Sequence, residues 1–228
     1  MPTLKRLDQL LSNLGYCSRK EARYFLKDKR VRVAGEITKS ASLKVDPANV
    51  LVDGAPLDMP DGILVMLNKP EGYVCSHDNN EGSRIYDLLP SRWEARNPKV
   101  VSVGRLDKDT TGLILVTDDT KLVHQLTSPK NHVDKLYVVS VDRPLEENIV
   151  NEFAKGVMLG DGEEQCLPAK IEIIGENMAN VTLNEGKYHQ VRRMFAACGY
   201  YVDTLHREEF GAYCLGDLAE GEWRNLIP

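Results

Sequence analysis

Two short apolar runs, 100–103 and 113–116, flank a polar loop that carries glycine at each end. Both runs contain β-branched residues and are too short for ordinary helices, so both are expected as strands. The connecting segment is Gly104-Arg105-Leu106-Asp107-Lys108-Asp109-Thr110-Thr111-Gly112. Arg105 and Asp107 stand two residues apart, and in extended backbone that spacing sends both side chains to one face. A guanidinium beside a carboxylate keeps it ionised and fixes its oxygens. That is the chemistry of a positioned nucleophile or base. Asp, Thr and Gly are also ordinary turn residues, so spacing alone leaves a plain hairpin turn as a second reading.

The 228 residues suit one large domain or an ordinary domain beside a small one. No run reaches membrane-spanning length, and the first residues lack the apolar core of a signal peptide. Cys17, Cys75, Cys166, Cys198 and Cys214 are scattered, odd in number and without a C-x-x-C pair. They suggest neither a zinc site nor a disulfide framework, and His189 and His206 have no acidic partner at ligand spacing. The chain therefore reads as cytoplasmic, with reduced thiols, no metal and no membrane partner. A net charge of -5 speaks against nucleic acid until it is resolved along the chain. Residues 1–50 hold eleven Lys and Arg against five Asp and Glu, leaving 18 basic and 29 acidic residues beyond them. This is the pattern of a basic arm on an acidic body.

In the arm, Leu4, Leu7, Leu10, Leu11 and Leu14 follow helical spacing, with Gly15 as a stop. Ser18-Arg19-Lys20-Glu21 has the form of a capping box that opens a second helix. On that helix Arg19, Arg23, Lys27 and Arg30 share an arc about 80° wide at 100° per residue. Ala22, Phe25 and Leu26 point toward the first helix. Such a stripe is either a solvated face or a surface that tracks phosphates. Val31-Arg32-Val33 and Leu51-Val52 read as strands, and Pro60 and Gly62 mark a linker between an arm of residues 1–58 and a body of 61–228.

The body opens on an apolar run, 63–67, expected as a buried strand. Lys69-Pro70-Glu71-Gly72 then turns the chain, and Asp118 or Asp119 caps a short helix that runs to Leu126. Residues 135–139, 170–174 and 180–183 read as strands, 147–155 as a helix, and a further helix starts after Gly186. Strands with helices between them favour an α+β domain on a largely antiparallel sheet.

The loop, written G-R-L-D-x-D-T-x-G-L-[ILM]-[IL]-[LV]-T, resembles the signature of the pseudouridine synthases, and within them the branch that acts on ribosomal RNA. Four more elements follow the family order. They are K-P-x-G at Lys69, K-x-Y at Lys135, [KR]-x-x-Q-[VI]-R-R-M from Lys187 and L-x-R-x-x-x-G from Leu205. The opening R-L-D-Q-x-L-x-x-x-G-x-x-S-R-x-x-A resembles the small RNA-binding domain of alpha-L type first recognised in a ribosomal protein. The resemblance implies a bisected sheet with its active site in a central cleft. It makes Asp107 catalytic, stacks Tyr137 on the target base and packs Leu205 beneath it. Lys69 and Pro70 support the loop. Arg105 and Arg192 are implied to hold the flipped nucleotide and the Asp107 carboxylate, with Lys187 and Arg193 toward phosphate. On the arm, Arg6, Ser18, Arg19, Lys20 and Arg23 are implied to face RNA, and Lys27 joins them on the basic stripe.

The reaction implied is isomerisation of uridine to pseudouridine, which needs no cofactor. The length, the arm and the loop look most like the small-subunit (16S) ribosomal RNA enzyme, acting as a monomer on that RNA or on a pre-ribosomal particle. A large-subunit target is the neighbouring alternative. From other classes come a non-catalytic RNA-binding assembly factor and a glycosidase using Asp109 as its second carboxylate.

Overall fold

The computed structural model describes residues 4–160 and 164–227. Among them, no helix is long and apolar enough to cross a membrane. The arm closes its own core: Leu7, Leu10, Leu11, Leu14, Leu26, Val31, Val50 and Val52 are buried together. Its first helix is Leu7–Asn13, shorter than the leucine pattern suggests. Lys5–Arg6 instead pairs as a short strand with Lys44–Val45, and Leu4 is exposed.

The capping box forms as expected. Glu21 Oε2 accepts from the Ser18 amide at 2.9 Å and from its hydroxyl at 2.7 Å, while Ser18 Oγ accepts from the Glu21 amide at 3.3 Å. The helix that follows, Ala22–Lys27, ends before Arg30. Arg30 leaves the basic stripe and grips Asp53 with two nitrogens, at 2.8 and 2.5 Å. Arg6 is likewise engaged, by Asp8 at 2.8 Å. Arg19, Lys20, Arg23 and Lys27 stay exposed without ion pairs among the described residues.

The segment between arm and body is pinned rather than loose. Trp93 Nε1 donates to Asp58 Oδ2 at 2.7 Å. Buried Arg96 donates to the carbonyls of Asp58 and Met59 at 3.0 and 2.9 Å. The Tyr16 hydroxyl accepts from the Asp58 amide at 3.1 Å. None of these partners is near in sequence.

The body is built on one nine-stranded sheet in two halves. In the first half, Leu64–Lys69 runs antiparallel to Thr111–Thr117, with Val65 opposite Val116, Met66 opposite Leu115 and Leu67 opposite Ile114. Val65, Leu67, Ile114 and Val116 enter one core, with Ile85 and Trp93. Met66, Leu113 and Leu115 enter another on the opposite face, with Phe210 and Leu215. Burial on both faces is why these strands are unbroken apolar runs rather than alternating ones. Val101–Ser102 pairs antiparallel with Thr111–Thr117, as the flanking runs suggested.

The second half is Lys170–Gly175, Met178–Leu183, Lys135–Val141 and Val202–Phe210, antiparallel throughout. One face packs on the helices Asn148–Lys155 and Gln190–Ala197 through Ile149, Phe153, Val191, Met194 and Phe195. Among the described residues, the strands of the two halves pair only where Val202–Phe210 runs parallel to Thr111–Thr117, over two residue pairs, His206 with Thr111 and Arg207 with Gly112. At this seam a Cβ on Gly112 would stand 2.3 Å from the Arg207 carbonyl oxygen, and its φ is +102°. Only glycine fits there. The cleft opens beside this seam.

Candidate active site

The cleft encloses about 450 Å³. One wall is the loop before Thr111, bearing Arg105 and Asp107; the floor is sheet, bearing Lys135, Tyr137, Leu205 and Arg207; the far wall carries Lys187, Tyr188 and His189. Residues 107, 137, 187 and 205, far apart in sequence, thus line one cleft, with Lys69 beneath the loop.

Lys69 explains the loop's shape. Its side chain is fully buried, and Nζ donates to the carbonyls of Pro70, Lys108 and Thr110 at 3.0, 3.2 and 2.7 Å. Burial pushes its pKa down, against nearby carboxylates that raise it. A cation spent on three carbonyls of a turn is a structural clamp, as the sequence suggested. The Asp107 carbonyl accepts from the Thr110 amide at 3.1 Å, closing the turn. The Leu106 amide meets Cys75 Sγ at 3.5 Å from below.

Asp107 itself is half-buried, and its charged neighbour is not the one expected. Arg105 makes no ion pair with it, and neither does Arg192. His189 Nε2 lies 3.3 Å from Asp107 Oδ1. Arg192 is bound to Asp109, Nη2 to Oδ2 at 2.9 Å, and donates to the Val202 carbonyl at 2.9 Å. It stands behind the loop rather than in the cleft lining. The sequence showed an arginine and two aspartates two residues apart, and side-chain reach decides between them. Lys187 and Arg193 both bind Glu164, at 3.2 and 3.0 Å, and hold its carboxyl below the usual range.

His189 and Tyr188 were missed as site residues. His189 has left-handed backbone, φ +47°, immediately before the helix Gln190–Ala197. Its ring stacks on Tyr188, centroids 3.9 Å apart and planes 17° apart. The Gln190 side chain accepts from the Lys187 amide at 2.9 Å and donates to Glu185 at 2.5 Å, fixing this turn. The signal available in sequence was the His two residues after the motif lysine, weighed only as a metal ligand. Among the described residues, no group of three or more His, Cys, Asp or Glu is arranged to hold a metal ion.

Comparison with known proteins assigns this chain to a class. Residues 63–197 match the family described as RNA pseudouridylate synthase, and residues 5–51 match the S4 domain. The chain belongs to the RNA pseudouridylate synthase family and carries an S4 domain in front. It is 42% identical over 226 residues to the ribosomal small subunit pseudouridine synthase A of Escherichia coli strain K12, spanning 97% of this chain and 96% of that protein. The enzyme of the same name from Haemophilus influenzae is 40% identical over 224 residues, spanning 97% and 95%. A crystal structure of a pseudouridylate synthase superposes with a TM-score of 0.68 at 39% identity, over 97% of this chain and 96% of that one.

Proposed function

We propose that this protein converts one uridine of the small-subunit (16S) ribosomal RNA to pseudouridine, with Asp107 as the nucleophile. The observation that carries the reading is the Asp107 carboxylate on the wall of an open cleft whose floor bears Tyr137 and Leu205. Similarity to small-subunit enzymes along nearly the whole chain supports the choice of RNA.

A uridine within a helix is out of reach, so it leaves the stack and enters the cleft, at a cost of a few kcal/mol. Phosphate contacts from Arg19, Lys20, Arg23 and Lys27 on the exposed arm offset that cost; Arg6 and Ser18 shape the same surface. Tyr137 stacks on the uracil and Leu205 supports it. Asp107, with His189 beside it, forms a transient covalent bond to the nucleotide, either at the anomeric carbon or at the ring, and that bond breaks again to free the carboxylate before product leaves. Either route breaks the bond from N1 to C1′ and forms one from C5 to C1′. One proton leaves C5 and one is gained at N1, so mass is conserved and no redox partner or cofactor enters. Arg105, exposed at the cleft edge, and Lys187 contact the flanking backbone. Arg192 holds the loop through Asp109.

The working form is a monomer in the cytoplasm, with an RNA-binding arm of residues 1–58 and a catalytic body of 61–228. The test is incubation of the purified protein with each ribosomal RNA, followed by mapping of modified bases. One isomerised uridine of unchanged mass in small-subunit RNA is expected. Conversion confined to large-subunit RNA, an abasic site, or unchanged RNA would each contradict the reading.

A further inference from the structure

Beneath the cleft lie two cations that the chemistry above does not use. Arg207 is 2% exposed, and its guanidinium has one protein acceptor among the described residues, the Leu113 carbonyl, 2.8 Å from Nε. Its Nη2 is buried without a partner. Lys135, half-buried, donates from Nζ to the Val133 carbonyl at 2.7 Å. Neither forms an ion pair with a carboxylate among the described residues; Asp134 and Glu185 act on Lys135 only from beyond that range.

The sheet brings the two together. Lys135 stands opposite Phe210, and Tyr137 opposite Arg207, on antiparallel neighbours. A register shift between Leu136 and Tyr137 adds one residue to the partner strand, so Phe210 and Arg207 reach one face although three positions apart. Lys135 Nζ lies 5.4 Å, and the Arg207 guanidinium carbon 5.0 Å, from the Phe210 ring centre. All three residues line the cleft. Buried like charges cost free energy unless something neutralises them. Burial and Arg207 both push the Lys135 pKa down, which expresses that strain.

We propose that Lys135 and Arg207 form an anion subsite at the floor of the cleft, which takes a phosphodiester flanking the flipped uridine. A neutral uracil would leave both charges uncompensated, whereas one phosphodiester supplies a full negative charge and two free oxygens. Tyr137 and Leu205, on the same face, hold the base; the subsite holds the strand entering or leaving it. The cations thus act as positioning groups: they set how deep the nucleotide sits relative to Asp107. This inference rests on the proposed reaction.

The experiment first locates the isomerised uridine with wild-type protein. Failure to isomerise any uridine would overturn the reaction itself and the subsite with it. Ribosomal RNA is then rebuilt with a neutral methylphosphonate immediately 5′ or 3′ of that uridine. The subsite predicts that one of the two linkages lowers wild-type kcat/KM about 10- to 100-fold, the worth of a hydrogen bond to a charged group. Lys135→Met should show the same loss on natural RNA and no further loss on the sensitive RNA. Arg207→Lys, which keeps the charge in the buried position, should retain most of the sensitivity to the linkage, with melting temperatures checking that both variants fold. Isomerisation by wild type that is indifferent to both linkages, or losses from Lys135→Met and the neutral linkage that multiply, would overturn the subsite while leaving the reaction intact.

Discussion

His189 Nε2 stands 3.3 Å from Asp107 Oδ1, and the same imidazole is stacked on the exposed ring of Tyr188. The charged neighbour of the carboxylate therefore comes from the far wall of the cleft, not from the arginine two residues before it. His189→Asn tolerates the left-handed backbone but is too short to reach across. We expect single-turnover isomerisation to slow about 2- to 5-fold, the worth of a part-exposed contact between charged groups, with RNA affinity unchanged. A loss in affinity with an unchanged rate would make His189 a binding residue instead.

Arg192 acts on the same carboxylate's loop at one remove. Through Asp109 and the Val202 carbonyl it ties the loop to the second half of the sheet. Arg192→Ala and Asp109→Ala should each slow turnover, and the double variant should be little slower than either alone, because both remove one contact. Multiplicative losses would show that Arg192 works directly in the cleft.

Much of this was legible in the sequence, for identifiable reasons. The strands of the first half are buried on both faces, so their apolar runs stood out. The Asp119 cap and the Ser18–Glu21 box are local, made by side chains within three residues of what they bond. What the sequence hid depends on long-range geometry. The choice of Asp109 over Asp107 by Arg192, the left-handed turn at His189 and the register shift that places Phe210 beside Arg207 leave no periodic trace. Leu4 extends the leucine spacing by one turn, yet it lies outside the helix and is exposed.

The segment between arm and body gives a third prediction. Pro60 and Gly62 suggested a cut after residue 58, yet Asp58 satisfies Trp93 and Arg96 of the body. Removing residues 1–56 should leave a folded body. Removing 1–58 should cost about 1–3 kcal/mol more, because a buried guanidinium and indole lose acceptors. Equal denaturation midpoints would show that Asp58 belongs to the arm alone. In both truncations the salt dependence of RNA binding should become shallower, and an unchanged slope would mean that the basic helix is only a solvated face.

Tyr137 lies on the cleft floor, directly opposite Arg207 in the sheet. Stacking is worth roughly 1–3 kcal/mol per base. Tyr137→Leu should therefore cost far more than Tyr137→Phe, which keeps the ring face. A Phe variant that binds RNA normally but turns over about 100- to 10,000-fold more slowly would assign the hydroxyl to proton transfer. Equal single-turnover rates for Tyr, Phe and Leu would reduce Tyr137 to ordinary core.

The most direct test of the account replaces the proposed nucleophile, Asp107, alone. Asp107→Asn preserves size and the approach of His189 while removing charge and nucleophilicity. In a single-turnover assay on small-subunit ribosomal RNA at saturating protein, no pseudouridine should form, while RNA binding remains near that of wild type. Isomerisation at the wild-type rate by the Asn variant would contradict the central role given to Asp107.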